Sequence, residues 1–353
     1  MRAIFAAILV SIAPAATSRA AAPPTANEIV PPGAKLELLY TNTSTIAGGM
    51  TEGPAVAPDG SIYFTYIPPG LDKGLILRFD PATRKTGVFT ADSGKANGLM
   101  FDARGGLVAC EGSDHGGRRV SRWNVRTGDR VTLTDRFDGK RFNAPNDVTI
   151  DEKGRIYFTD PRYLGNEPRE LEHRAVYRID PDGRTREATH EVEKPNGIAV
   201  SPDQKTLYVA DTNNDAIRAD SATSPPRKGA MKVYAFPLSP TGEVNGQRRT
   251  VVDFGGEDGC DGMTVDVRGN LYLATRSRKR PGVLVVDATG RELAFIAGPS
   301  QPEGLPSNCD FGIGEQSKVL YVTVGASLYG IGLSVDGYHI PWQRAMTPPW
   351  KQP

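Results

Sequence analysis

Cysteine and histidine are scarce in this chain, with three and four among 353 residues. An odd cysteine count cannot be fully paired within one chain, so disulfides are not the scaffold; at most one bridge joins two of Cys110, Cys260 and Cys309. The histidines, His115, His173, His190 and His339, are scattered and lack the spacing that zinc sites use. Charge of one sign is missing too: the formal net charge is +1 and the charged residues are interspersed. Without a basic stripe, nucleic acid is not an expected partner. Also absent are a G-x-S-x-G elbow, an H-E-x-x-H pair, a P-loop and a dinucleotide fingerprint. A hydrolase built on this chain therefore relies on activated water rather than on a serine.

Long apolar runs are confined to the first twenty-odd residues. Arg2 gives a positive start, Ala3 to Ala16 is mostly apolar, and Ser18-Arg19-Ala20 supplies small residues where a signal peptidase reads. Residues 1–21 are thus expected to be a secretory signal, followed by a flexible lead-in over 22–34. The segment is too short and alanine-rich to be read as a membrane span, and no later stretch could cross a bilayer. The expected location is the periplasm or the cell exterior.

What the sequence does contain is a repeat. A polar residue, often followed by Gly, opens an alternating apolar run, then a turn, then a strand rich in Leu, Ile, Tyr and Val. It occurs at Glu52, Asn97, Asn146, Asn196 and Asp261, with a sixth copy near Asn308 or Cys309. Successive starts, taking Asn308 for the last, lie 45, 49, 50, 65 and 47 residues apart. Each unit has room for four short antiparallel strands, and the turn within it reads as a hairpin. One four-stranded sheet exposes too much apolar face; six stacked around an axis bury it. The fold expected is all-β, a six-bladed β-propeller over residues 35–340 with four antiparallel strands per blade. Strands around Leu36–Tyr40 and Ser327–Leu333 are expected to share the closing blade, and a tail over 341–353, with Trp342 and Trp350, to pack across the outside. The longest interval is an expanded polar loop over 211–229, and Asp211 to Asp215 reads as a solvated turn.

In a propeller, equivalent positions of each blade come to one height around the central channel. The repeat start holds carboxylates and carboxamides, where a purely structural channel position would be small or apolar. Such a ring of oxygens suits a hard divalent cation, and a cation relieves the repulsion between Glu52 and Asp261. Asn-Gly, Asn-Asp and Asp-Gly are also turn and capping dipeptides, so local backbone capping is the competing account of each copy alone.

Phe142-Asn143-Ala144-Pro145-Asn146-Asp147 with Ile156-Tyr157-Phe158-Thr159-Asp160-Pro161 resembles the bacterial gluconolactonase branch of the SMP-30/gluconolactonase/regucalcin-like family. Lys194-Pro195-Asn196-Gly197, Leu207 to Asp211, and Cys260-Asp261-Gly262-Met263 carry the same likeness across nearly the whole mature chain. The resemblance implies a lactonase acting on a small-molecule sugar lactone such as gluconolactone. It implies an axial metal held by Glu52, Asn196 and Asp261, with Asn146 contacting substrate, water or metal, and Asp261 as general base. Ca²⁺ is the first expectation for the ion, with Mg²⁺, Mn²⁺, Zn²⁺ or Fe²⁺ as alternatives. The regucalcin branch has Arg two residues before the equivalent of Asn146, where this chain has Ala144. His115, in the Gly-flanked loop Asp114 to Arg119, and the segment Asp160 to Tyr163 are the candidates for sugar recognition; Arg118 and Arg119 read as surface charges. Two other functions share these features: an aryl-esterase or phosphotriesterase, and a non-catalytic propeller that binds a sugar or partner.

Overall fold

A computed structural model describes residues 26–43, 48–214, 228–299 and 304–342. The expected signal segment, Trp350 and most of the long loop lie outside the described residues. Six four-stranded antiparallel sheets make six blades. The innermost strands are Met50–Val56, Ala96–Phe101, Val148–Ile150, Pro195–Val200, Cys260–Val265 and Pro306–Phe311, in blades 1 to 6. Blade 6 is closed by the N-terminal strand Glu37–Thr41, which pairs with Ser327–Gly332 as the outermost strand. The ring is thus fastened by hydrogen bonds between the two ends of the propeller, as the sequence predicts.

The second strands are buried almost throughout. Leu107–Glu111, Ile156–Asp160 and Leu271–Thr275 are buried at every position, which is why they read as continuous apolar runs. An outer strand such as Lys85–Thr90 holds no buried residue and faces water. The core is divided into six clusters, one per blade interface. Tyr157, Ile198, Leu207 and Phe236 fill the space between blades 3 and 4, and Tyr272, Val283, Phe311 and Leu320 fill that between blades 5 and 6. Aromatic edges lock these seams: Tyr272 and Phe311 meet at 5.0 Å and 87°.

Residues 26–34 dock rather than trail as a lead-in. A short helix, Ala26–Ile29, buries Ile29 against the cluster of blades 5 and 6, and Ser334 donates its N–H to the Ile29 carbonyl. The chain leading into the expected tail docks as well. Tyr338, Ile340 and Trp342 join the seams of three blade pairs and line a cavity of about 70 Å³ with Val56, Phe101, Ile150 and Val265. Those four residues end their inner strands, so residues 338–342 cover the far mouth of the channel; the rest of the expected tail, 343–353, lies outside the described residues. All three cysteines are buried and unpaired.

Candidate active site

The repeat start is a break in the ladder. Pairing slips between Glu52 and Ala55, Ala96 and Leu99, Pro195 and Ile198, and Cys260 and Met263. A bulge of this kind re-aims a side chain away from the sheet. The following glycine is required by packing. A Cβ at Gly98 would stand 2.3 Å from the Asp147 carboxylate, and one at Gly197 2.3 Å from the Asp261 carbonyl. Gly98 N–H instead donates to the Asn146 carbonyl at 2.7 Å, tying blade 2 to blade 3. The polar-Gly dipeptide therefore does two jobs: the polar residue faces the channel, and the glycine lets the next blade approach.

Register corrects the sixth copy. Glu52, Asn97, Asn146, Asn196 and Asp261 each lie four residues before the last paired residue of their strand: Val56, Phe101, Ile150, Val200 and Val265. In blade 6 that last residue is Phe311, so the equivalent is Ser307, not Asn308 or Cys309. The longer turn of blade 6, with a 3-10 stretch at Gly314–Gln316, shifts the count read from sequence. Ser307 Oγ donates to the Thr51 carbonyl at 2.8 Å. Asn308 then occupies the glycine position, as does Asp147 in blade 3. These blades face each other across the axis, and Asn308 Nδ2 donates to Asp147 Oδ2 at 3.4 Å.

Glu52, Asn196 and Asp261 converge at this end of the channel. Asn196 Nδ2 donates to Asp261 Oδ1 at 2.8 Å. Glu52 is 3% exposed, and its backbone donor among the described residues is the neighbouring Gly53 N–H at 3.2 Å. Burial, then the charges of Asp261 and Asp147, push the Glu52 carboxyl well above its usual range. Burial also raises Asp261, against the opposing influence of Arg276 and the Asn196 hydrogen bond. Asp147 is pushed up to about 7 by burial. Asn146 is buried at the equivalent point of blade 3, its backbone held by Thr159 and Gly98, while its carboxamide hydrogen-bonds to no other described residue. Among the described residues no three His, Cys, Asp or Glu side chains group as a metal site; the oxygen set here is two carboxylates and carboxamides.

Supporting residues explain the placement. Asp160 and Asp211 hold equivalent positions in the second strands of blades 3 and 4. Asp160 accepts the N–H groups of Asn143 and Ala144 at 2.8 and 2.6 Å, and Asp211 those of Glu193 and Lys194, both at 2.8 Å. Each carboxylate fixes the chain entering its asparagine, Asn146 or Asn196. Asp211 is fully buried, so the segment read as a solvated turn begins in the interior. Tyr163 OH donates to the carbonyls of Lys194 and Thr212, at 3.2 and 3.0 Å, bracing blade 4 from the blade 3 loop.

The recognition candidates divide. His115 is exposed at φ 70°, with its backbone N–H bonded to Glu167, and its ring hydrogen-bonds to none of the four channel residues. Arg118, read as a surface charge, is buried and donates Nε to the Phe142 carbonyl at 2.7 Å. Arg276 was missed. Its Nε lies 3.5 Å from Asp261 Oδ2. A signal existed. Ile62, Leu107, Ile156, Leu207, Leu271 and Leu320 are equivalent, each paired with the last residue of its inner strand. Five residues beyond them stand Ile67, Gly112, Pro161, Thr212, Arg276 and Gly325. Blade 5 alone places a charge there.

Comparison with known proteins follows the same residues. The model of the SMP-30/Gluconolactonase/LRE-like region matches residues 50–326, from the first inner strand to the last blade. The chain belongs to this family. It is 28% identical over 312 residues to a gluconolactonase of Zymomonas mobilis, covering 81% of this chain and 79% of that one. A lactonohydrolase of Aspergillus oryzae is 27% identical over 69% of this chain and 60% of its own. The solved structure of a Xanthomonas campestris gluconolactonase superposes with a TM-score of 0.69 at 28% identity, over 92% of this chain and 99% of that one. The family match spans all six inner strands, so the four channel residues sit inside the shared framework.

Proposed function

We propose that this protein hydrolyses a sugar lactone of the aldonolactone type to the open-chain acid, at the end of the channel where Glu52, Asn146, Asn196 and Asp261 meet. The observation that carries the reading is the pairing of a buried carboxylate, Glu52, with a half-buried one, Asp261, whose Oδ1 is held by Asn196 and whose Oδ2 faces the partly exposed guanidinium of Arg276. The named lactonases among its relatives support the chemistry.

The donor set fits a hard divalent cation, Ca²⁺ first and Mg²⁺, Mn²⁺, Zn²⁺ or Fe²⁺ otherwise. Two carboxyls pushed up by burial, Glu52 also by the charge of Asp261, are what an added positive charge would relieve. Glu52, Asn196 and Asp261 would hold it, with Asn146 beside them. Such an ion, when bound, supplies Lewis acidity toward the lactone carbonyl and toward water. Asp261 is the base: its Oδ1 is oriented by Asn196, and it takes a proton from the attacking water. The water oxygen forms the new bond to the acyl carbon; the ring C–O bond breaks, and the released alkoxide oxygen takes a proton to become a hydroxyl. Of the four channel residues the two carboxamides cannot accept a proton at neutral pH, which leaves Glu52 and Asp261 as the bases among them. Glu52 carries the charge that holds the ion. His115, exposed on its loop, contacts the sugar as it enters. The leader over residues 1–21 directs the protein to the periplasm or beyond.

The test is acid release from a panel of lactones, with and without chelator, after subtracting spontaneous ring opening. Asp261→Asn should lose about 10²–10⁴-fold in rate at saturating cation while still binding it. Glu52→Gln should mainly weaken the cation. Full activity in exhaustive chelator would remove the cation from the reaction, and full activity of Asp261→Asn would move the base elsewhere.

A further inference from the structure

We infer that Arg276 is the built-in counter-ion of the site, a positioning residue that holds Asp261 when no cation is bound and sets how tightly a divalent cation binds. The inference rests on the cation reading above, and it concerns the chain's own charge rather than the ligand set.

Two observations carry it. Arg276 leaves the end of the second strand in blade 5 and reaches over the seam with blade 6. There its Nη1 donates to the carbonyls of Pro306 and Leu305, at 3.2 and 3.5 Å. This anchorage places Nε 3.5 Å from Asp261 Oδ2, with the Arg side chain 30% exposed and the carboxylate 14% exposed. Second, the five equivalent positions of the repeat are uncharged, so the framework does not require a cation there. Carboxylate Oδ1 of Asp261 is taken by Asn196 and Oδ2 by Arg276. An arriving cation must share Asp261 with a fixed positive charge, and its affinity is reduced by that repulsion.

The experiment compares wild type, Arg276→Gln and Arg276→Lys by calorimetric Ca²⁺ and Mn²⁺ titration and by thermal melting in chelator and in saturating cation. Arg276→Gln should bind either ion about tenfold more tightly, the size expected when a unit charge a few ångströms away is removed from a partly solvated site. In chelator it should melt below wild type, and in saturating cation the gap should close. Arg276→Lys, which keeps the charge, should stay near wild-type affinity. If Arg276→Gln leaves affinity unchanged and lowers the melting temperature equally in both conditions, Arg276 is only a strap between blades 5 and 6, and the inference fails. If the wild type binds neither ion, the cation reading itself fails and Arg276 falls with it.

Discussion

At the scale of single residues, buried carboxyls govern both position and pH response. Asp160 is fully buried, and burial pushes its carboxyl up to about 6 from an ordinary 3.8, although two backbone N–H groups favour its charge. Its folded value exceeds its unfolded one, so between those two pH values the folded state binds more protons. Its contribution to stability is then greatest below about pH 4 and declines as pH rises to about 6. Asp160→Asn removes that titration while keeping a carbonyl for one of the two N–H groups. Relative to wild type, the variant should gain up to about 3 kcal/mol between pH 4 and pH 6, at about 1.4 kcal/mol for each pH unit crossed. Urea unfolding of both proteins in chelator across that range measures it. A constant difference between the two would show that Asp160 stays ionised throughout.

At the scale of elements, the polar-Gly dipeptide shows what sequence could and could not reveal. The spacing of Glu52, Asn97, Asn146, Asn196 and Asp261 was legible because each marks the same point before a hairpin whose length hardly varies. Four strands per blade followed from the same counting, and closure by a strand around Leu36–Tyr40 from the need to fasten the ring. Blade 6 was misread because its turn is longer, so the count from the far strand landed on Asn308 and Cys309 rather than Ser307. Arg276 and the buried Asp211 were out of reach of a pattern read at one position only. Their roles arise from contacts between segments that are distant in sequence. The glycine's role was also hidden, since Asn-Gly reads equally as a turn. Gly197→Ala tests it: the new Cβ would meet the Asp261 carbonyl at 2.3 Å and the Gly262 Cα at 2.8 Å. Both neighbours are backbone, so blades 4 and 5 must part, at about 1–3 kcal/mol. Gly87→Ala, whose Cβ meets nothing within 4 Å, should change stability by less than about 0.5 kcal/mol. Equal effects in chemical denaturation would refute the packing role.

At the scale of the whole molecule, the two ends of the chain finish the propeller in different ways. The N-terminal strand completes a sheet: Glu37 pairs with Gly330, Leu38 with Tyr329 and Thr41 with Ser327, so without it blade 6 has three strands and an open edge. The C-terminal segment completes no blade. From Gly337 to Trp342 it lies across the ends of the inner strands: Tyr338 OH donates to Glu152 and accepts from Gln204, Ile340 is 3% exposed, and Trp342 packs against the cluster between blades 1 and 2. The polar residues of the site open the inner strands, and this plug covers where they close. A chain ending at Asp336 should therefore keep the ring and the site while uncovering apolar residues such as Val56, Phe101 and Ile150. Losing the burial of Ile340 and Trp342 removes about 3–5 kcal/mol by the usual worth of large apolar side chains. The melting temperature should fall by several degrees, whereas lactone hydrolysis well below the melting point should stay within about twofold of wild type, since Asp261, the proposed base, is untouched. Removing residues through Thr41 instead should abolish the cooperative transition, because the ring loses its fastening. Thermal melts and initial rates on the two truncations separate the cases. Loss of activity in the Asp336 truncation at a temperature where it remains folded would mean that the plugged end of the channel, and not only the open one, takes part in the reaction.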